Sequence, residues 1–591
     1  MNSEFQSAYE RWLDHVDEGD RALLATLAED PKALRDAFYR DLAFGTGGMR
    51  GVIGMGPNML NRYTVARATQ GLAEWILARR ASGEDVGSSV VSDPLGRPLV
   101  AIARDSRRQG SEFVRTVAGV LAANGIRSVL FEQPEPTPAC SFAVRDLGCA
   151  AGVVITASHN PAKYNGYKVY GPDGCQITTE FAREIQARID AADFFEDVRA
   201  MTFERAIDDG FASWMPVGVL GRYVSAILSE SRGVDCSDLR VAYSPLNGTG
   251  LSCMERVLSG VGVSRTAGNL FVVPEQADPD GEFPTCPKPN PEVPEALELL
   301  ESLMEREGCD LAFATDPDAD RLGVVCRSAD GRLRALTGNE LGVLLLDWLC
   351  QREDASGRSL TGRVAVTTVV SSVLSDAVAE RWGIELRRTL TGFKFAGEQI
   401  SLLEHEGRED AFLFGLEESY GCLAGTYVRD KDGLEAGMFA CQMAAFLKTR
   451  GKSLSDALDE LYETYGHCSE EHVSVELPGA EGAARIASVM SALRAEPPAS
   501  IAGCAVERVI DYLPGAPMPV VNPAAGEEPQ MLPPSNVLEF RLSGGSRVLV
   551  RPSGTEPKVK AYVFAKGADK AGADALLARL VEVVRGMLVA S

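Results

Sequence analysis

The spacing of apolar residues divides the chain into segments of different character. In the first forty residues Tyr9, Trp12, Leu13 and Val16 recur at helical intervals, and Leu23, Leu24 and Leu27 continue them, which predicts an N-terminal helical segment. A glycine-rich turn follows at Phe44–Gly51 (FGTGGMRG). Short apolar runs then take over: VAIAR (Val100–Arg104), SVLFE (Ser128–Glu132) and AGVVITA (Ala151–Ala157) read as strands, with a helix at Phe113–Ala123 between the first two. Strands alternating with helices at this spacing predict α/β layers on mainly parallel or mixed sheets. The rhythm restarts near Leu239 (LRVAYSP) and Gly362 (GRVAVTTVV). Near Val537 it changes to strands in quick succession (VLEFRLSGGSRVLVRPSG), followed by one helix from Lys570 to Leu588, an α+β pattern.

A chain of 591 residues exceeds what one hydrophobic core supports. The changes in rhythm predict four domains: 1–220, an N-terminal helical part plus an α/β domain; 221–335 and 336–470, two further α/β domains; and 471–591, an α+β domain. Gly83–Pro98 and Pro514–Pro534, the latter with seven prolines, read as surface loops.

Charge narrows the function. The formal net charge is −24, so the surface repels nucleic acid and anionic membranes. It would repel a phosphorylated substrate too, unless a local cluster of Lys and Arg offsets the field. Thirteen cysteines lie scattered without a C-x-x-C pair, as expected of reduced thiols in a cytosol-like compartment. MNSEFQSAYERW lacks the basic and apolar regions of a signal peptide, and the most apolar helical stretch, Leu341–Leu349, is short and reads as broken by Asp347. A cytoplasmic protein is expected, with no membrane and no nucleic-acid partner. Its oligomeric state is left open.

Four motifs carry chemistry. In ITASHNPAKYNGYKVYG (Ile155–Gly171) an apolar run leads into a loop that presents Ser158, His159 and Asn160, with Pro161 ending the local structure and Lys163 and Lys168 close behind. An ordinary turn uses the same residue types, but the density of hydroxyl, imidazole and ammonium groups favours a site. CDLAFATDPDADRLGVVCR (Cys309–Arg327) delivers Asp316, Asp318 and Asp320 at alternate positions, then Arg321. Three such carboxylates repel one another without a cation and suit a hard metal ion that leaves room for phosphate. A calcium EF-hand loop is excluded, because its sixth and twelfth positions would be Arg321 and Arg327 in place of Gly and Glu.

In RPSGTEPKVKAY (Arg551–Tyr562) Arg551 offers a fork to phosphate, Ser553 and Thr555 offer hydroxyls, and Gly554 lets backbone N–H groups approach an anion. GLEESYG (Gly415–Gly421), with RDKDG (Arg429–Gly433), suits sugar hydroxyls, and TGFKF carries Lys394 on an apolar run, where a snorkelling lysine at a strand end reads equally well. No P-loop and no G-x-S-x-G elbow occurs, and GTGGMRG puts Arg50 where a dinucleotide fingerprint needs its third glycine.

These motifs, in this order, resemble those of the α-D-phosphohexomutase family over nearly the whole chain. TASHNP looks like its phosphoserine loop, DPDADR its metal loop, GLEES its sugar-binding loop and RPSGTEP its phosphate-binding loop. FGTGGMRG, PTP (Pro136–Pro138), PNPEVPEAL and VRDKDG are further similar to the longer phosphoglucomutase-2-like branch, which holds phosphoglucomutases and phosphopentomutases. One departure is Asn247 in SPLNGTG, where relatives commonly carry histidine.

The resemblance implies four domains around a central cleft, three related α/β domains with mixed sheets plus a smaller α+β C-terminal domain. It implies one Mg²⁺ held by Asp316, Asp318, Asp320 and a phosphorylated Ser158. It also implies a phosphoglucomutase acting through glucose 1,6-bisphosphate, which serves as activator. The alternatives are phosphopentomutase or phosphomannomutase activity, or a sugar 1,6-bisphosphate synthase. Arg321, Lys394, Arg551, Ser553, Gly554 and Thr555 would hold phosphate, and Glu417 and Ser419 the sugar. Arg50 would add positive field, and either Lys168 or His159 would transfer the proton, a lysine base needing a lowered pKa that nearby cations would provide.

Overall fold

The computed structural model describes residues 3–45, 47–84, 93, 95–328, 330–477, 479–515, 531–553 and 558–589. Much of the Gly83–Pro98 and Pro514–Pro534 loops, together with Gly554 and Thr555, lies outside these residues. The chain forms two compact units, Met1–Cys326 with Ala396–Glu409 and Gly421–Phe446, and Arg327–Phe395 with Asp410–Tyr420 and Leu447–Ser591.

The first unit begins with helices Ser3–His15, Glu18–Leu27 and Pro31–Phe38. Asp17 and Asp30 cap the second and third by accepting from N–H groups of their first turns. Tyr9, Trp12, Val16 and Leu24 are buried, but Leu23 is 58% exposed, since its neighbour takes the inward position.

Strands β1 (Gly48–Val52), β2 (Leu99–Arg104), β3 (Arg127–Leu130), β4 (Ala151–Ile155), β5 (Tyr164–Tyr170) and β6 (Ala212–Trp214) form a mixed sheet in the order β1-β5-β4-β2-β3-β6. All of β4, and β2 up to Ala103, is buried, which is why these strands read as continuous apolar runs instead of alternating ones. The second half of the glycine-rich segment is not a turn but β1, antiparallel to β5 with Arg50 opposite Gly166.

A second sheet holds β7 (Val241–Ser244), β8 (Leu270–Val272), β9 (Leu311–Thr315) and β10 (Leu322–Arg327), with β7 parallel to β8 and β9. Strands β9 and β10 form an antiparallel hairpin in which Leu322 faces Thr315.

The second unit carries β11 (Leu333–Leu336) and three parallel strands, β12 (Val364–Thr368), β13 (Glu385–Thr389) and β14 (Phe412–Glu417), with β12 between the other two. The apolar run at Leu341–Leu349 belongs to an unbroken helix, Gly338–Ala355. Within it the Asp347 carboxylate interrupts the apolar run and accepts from Trp382 Nε1 at 2.8 Å and Tyr465 OH at 2.5 Å. Strand β15 (Gly421–Leu423) belongs to the first unit.

The chain ends in an antiparallel sheet of β16 (His467–Glu476), β17 (Ser500–Ile501), β18 (Cys504–Asp511), β19 (Leu538–Leu542), β20 (Arg547–Pro552) and β21 (Lys558–Gly567). Alternate residues such as Leu538, Phe540, Val548, Val550, Ala561 and Val563 form one core with helices Gly479–Ala495 and Lys570–Val589. The fold class is thus the expected α/β layering with a C-terminal α+β sheet. Among the described residues no helix is long and apolar enough to cross a membrane.

Candidate active site

Within the first unit, two strand ends bring Ser158 and the three aspartates together. Beyond β4 the backbone at Ser158 turns into the left-handed region (φ 52°), uncommon for a residue with a side chain. The conformation is held from several sides. Ser158 N–H donates to Thr156 Oγ1 (2.8 Å), and Thr156 donates in turn to buried Asp105 (2.5 Å). Buried Arg107 pairs with Asp105 and donates to the carbonyls of Ser158, Asn160, Pro161 and Tyr164. Gly166 completes the frame: a Cβ there would lie 2.4 Å from the Thr156 carbonyl oxygen.

Asp316, Asp318 and Asp320 occupy the β9–β10 turn, fully or almost fully buried, with ligand oxygens within 4.8 Å of one another. Ser158 Oγ donates to Asp316 Oδ2 at 2.6 Å and lies 3.1 Å from His159 Nδ1. Asp318 accepts from Lys168 Nζ (2.9 Å) and Thr137 Oγ1 (3.0 Å), and Asp320 pairs with Lys168 (3.2 Å) and Lys431 (3.1 Å). Asp318 Oδ1 and Asp320 Oδ1 are buried without a hydrogen-bond partner. Burial, then the charges of Asp318 and Asp320, pushes the Asp316 carboxyl well above the usual carboxylate range. Converging acceptor oxygens without donors, in a buried group of three acids, fit a divalent cation.

The basic groups have distinct partners. Arg321 binds Glu292 Oε1 at 2.6 Å and stays near Asp316 and Asp320, each 3.9 Å from its Nε. Arg50 donates to Asn160 Oδ1 (3.2 Å). Burial, then the Arg321 and Arg50 cations, lowers the His159 pKa well below the usual imidazole value. Lys168 differs from the expectation of a lowered pKa. Burial alone would lower it, but Asp318 and Asp320 outweigh burial and raise it.

Four family models of the phosphoglucomutase/phosphomannomutase group match the chain. They are α/β/α domain I over residues 41–196, domain II over 221–331, domain III over 337–465 and the C-terminal domain over 504–583. The chain belongs to the α-D-phosphohexomutase family. It is 32% identical to the phosphoglucomutase of Staphylococcus epidermidis over 93% of this chain and 95% of that one. Against the phosphoglucomutase of Staphylococcus aureus strain RF122 the identity is 34%, over 90% of this chain and 91% of that one. A phosphoglucomutase/phosphomannomutase family protein from Burkholderia thailandensis shares the fold, with a TM-score of 0.63 at 21% identity over 93% of this chain and 97% of that one.

In the second unit, Glu417 ends β14 and is buried like Glu418, while Ser419 is half-buried. Glu418 stands in the turn beyond β14 and accepts from Thr368 Oγ1 (2.9 Å) and Ser371 Oγ (3.4 Å). Lys394 does not end a strand; it is buried and opens helix Lys394–His405. Arg551 lies on β20 with its guanidinium over the Tyr562 ring.

Sequence reasoning missed Arg107, Asp105, Thr137 and Lys431 as parts of this phosphohexomutase site. The signal for the first two was a charge cluster, RDSRR, at the end of a buried strand. Thr137 sits inside PTP, noted only for its resemblance, and Lys431 inside RDKDG, read as a partner of the sugar loop and not of the acid cluster.

Proposed function

We propose that the protein is a phosphoglucomutase that interconverts glucose 1-phosphate and glucose 6-phosphate through a phosphorylated Ser158 and glucose 1,6-bisphosphate, the latter acting also as activator. One observation carries this reading: the Ser158 hydroxyl, presented in a left-handed backbone, donates at 2.6 Å to one of three buried, clustered aspartates. A purely sugar-binding protein needs neither the hydroxyl nor the acid cluster. The names of relatives at 32% and 34% identity support glucose as the sugar.

In this reading Asp316, Asp318 and Asp320, with the phosphate on Ser158, hold Mg²⁺. When bound, that ion supplies charge neutralisation and polarisation of the phosphoryl group. A sugar hydroxyl attacks phosphorus, the Ser158 Oγ–P bond breaks, and the attacking oxygen loses its proton to His159, the candidate held neutral, while Lys168, held protonated by Asp318 and Asp320, adds positive charge beside the phosphoryl group. The bisphosphate then presents its other phosphate, which returns to Ser158 and frees the isomeric product. Arg50 and Arg321 offset the acidity of the chain near the reacting phosphate. In the second unit Glu417 and Ser419 accept sugar hydroxyls, and Lys394, Arg551, Ser553, Gly554 and Thr555 hold phosphate. Segments 1–220, 221–335, 336–470 and 471–591 each contribute one motif to this division of labour. Buried free thiols and the acidic composition support a cytoplasmic setting.

The test is ³¹P NMR of the protein with Mg²⁺, trace bisphosphate and, separately, glucose, mannose and ribose 1-phosphate. Equilibration of glucose 1- and 6-phosphate faster than the other two pairs is expected. Preference for mannose or ribose would overturn the sugar. Net accumulation of bisphosphate from a separate phosphoryl donor, or no turnover, would overturn the mutase.

A further inference from the structure

The second unit contains a set of contacts that the phosphotransfer chemistry does not require. They converge on a two-residue turn, Ser371–Ser372, just beyond β12. Ser371 Oγ donates to Glu418 Oε2 at 3.4 Å, beside the 2.9 Å bond from Thr368 Oγ1, so the turn grips the residue between Glu417 and Ser419. Buried Arg388 donates to the carbonyls of Thr368 (3.0 Å) and Ser372 (2.9 Å), and Asp376 anchors its guanidinium at 2.7 Å.

Two strands of the C-terminal sheet reach the same turn. From β20, buried Arg547 donates to the Ser371 carbonyl. From β16, Glu470 accepts from Asn339 Nδ2, while Asn339 Oδ1 accepts from Ser372 N–H at 3.1 Å. The preceding Gly338 packs so closely on the sugar loop that a Cβ would lie 2.3 Å from the Glu418 carbonyl oxygen. Arg547 and Arg551 stand four residues apart on β20, hence on one face and about 13 Å apart along the strand. The strand that carries Arg551 is therefore tied at its other end to the turn that holds Glu418.

We propose that the Ser371–Ser372 turn is a coupling joint, with Asn339, Arg547 and Glu418 as positioning residues that set the sugar loop according to how the C-terminal phosphate-holding strand is seated. The inference rests on the roles proposed above for Glu417, Ser419 and Arg551. Residues that share no partner and lie well apart act independently, so a double-mutant cycle reads the coupling directly.

The experiment measures kcat and KM for glucose 1-phosphate in the full chain with Mg²⁺ and bisphosphate, for Asn339→Ala, Arg551→Ala and the double variant. Asn339→Ala is expected to raise KM about fivefold with kcat within about twofold, and the double variant to differ by more than about twofold from the product of the single effects. An unchanged KM in Asn339→Ala, or a strictly multiplicative double variant, overturns the joint. Glu417→Ala is the control for the underlying reading. If Glu417→Ala and Arg551→Ala both leave KM unchanged, the sugar and phosphate roles fall and the joint with them. If both raise KM but the cycle is multiplicative, the joint alone falls. Should Asn339→Ala not fold, Asn339→Asp keeps the acceptor for Ser372, removes the donor to Glu470 and enters the same cycle.

Discussion

Lys168 and Asp318 are 150 residues apart in the chain and meet at 2.9 Å, the ammonium of β5 against the loop between β9 and β10. The same ammonium reaches Asp320 at 3.2 Å. Two loops that read as separate motifs in the sequence are thus one electrostatic unit, in which an acid cluster too dense to stand alone is partly offset by Lys168 and Lys431.

That offset is incomplete, which makes the first unit sensitive to metal. Mg²⁺ at a hundred times its dissociation constant is expected to add about 2.7 kcal/mol of stability. Calorimetric melting with and without chelator should show the shift in the wild type. In Asp318→Asn the shift should fall to near zero, with loss of metal-dependent turnover. An undiminished shift in that variant would place the ion elsewhere.

Ser158→Ala removes the proposed phosphoryl acceptor without disturbing the backbone bonds around it. Turnover is expected to fall by at least about 10³-fold. Intact mass spectrometry after incubation with glucose 1,6-bisphosphate should show a phosphoryl adduct on the wild type and none on the variant.

Arg107 is the strut of the Ser158 loop. Replacing it with Ala leaves Asp105 as an uncompensated buried charge, a change that costs about 3–5 kcal/mol. Arg107→Lys keeps the charge but lacks the planar fork that spans four carbonyls. It should remain folded by circular dichroism yet lose kcat by more than about tenfold, with the rate of Ser158 phosphorylation falling in parallel.

Asp432 gives the first unit a pH signature. Burial raises its pKa from 3.8 to about 6, although the hydroxyls of Tyr223 and Tyr427 donate to its carboxylate at 2.7 and 2.9 Å. Between those values the folded chain keeps a proton that the unfolded chain has released, so this residue's contribution to stability falls as pH rises through the window and is level above it. The full change is about 3 kcal/mol. Denaturant unfolding from pH 4 to 7 should show a shallower fall in Asp432→Asn than in the wild type, and equal slopes would refute the assignment.

The serine and aspartate loops that the fold brings together at Ser158 and Asp316 were legible because each is contiguous and follows an apolar run that ends where its polar residues begin. What stayed hidden depends on partners without a sequence signature. Arg107 works through backbone carbonyls, which every residue possesses, so only its place in the RDSRR cluster after a buried strand sets it apart from a surface arginine. Glu417 and Glu418 read as a like pair, but Glu417 ends a strand while Glu418 stands in the turn beyond it, where Thr368 and Ser371 hold its carboxylate. Asp347 read as a charge interrupting an apolar run, and its partners Trp382 and Tyr465 are remote in sequence. Lys168 was expected to have its pKa lowered by nearby cations, whereas the fold sets it against the carboxylates of Asp318 and Asp320, which are remote in sequence.

The thirteen cysteines are all free, and every one except Cys504 is buried. Burial also raises the pKa of Cys140 to about 12 and that of Cys286 to about 11, so thiolate is scarce at these positions even where a reagent could enter. The chain therefore carries a built-in clock for its own opening. One thiol should label with an alkylating reagent within the mixing period, and the other twelve only as fast as their surroundings come apart. Counting labels over time by mass, with and without sugar phosphate, would show which parts of each unit open together.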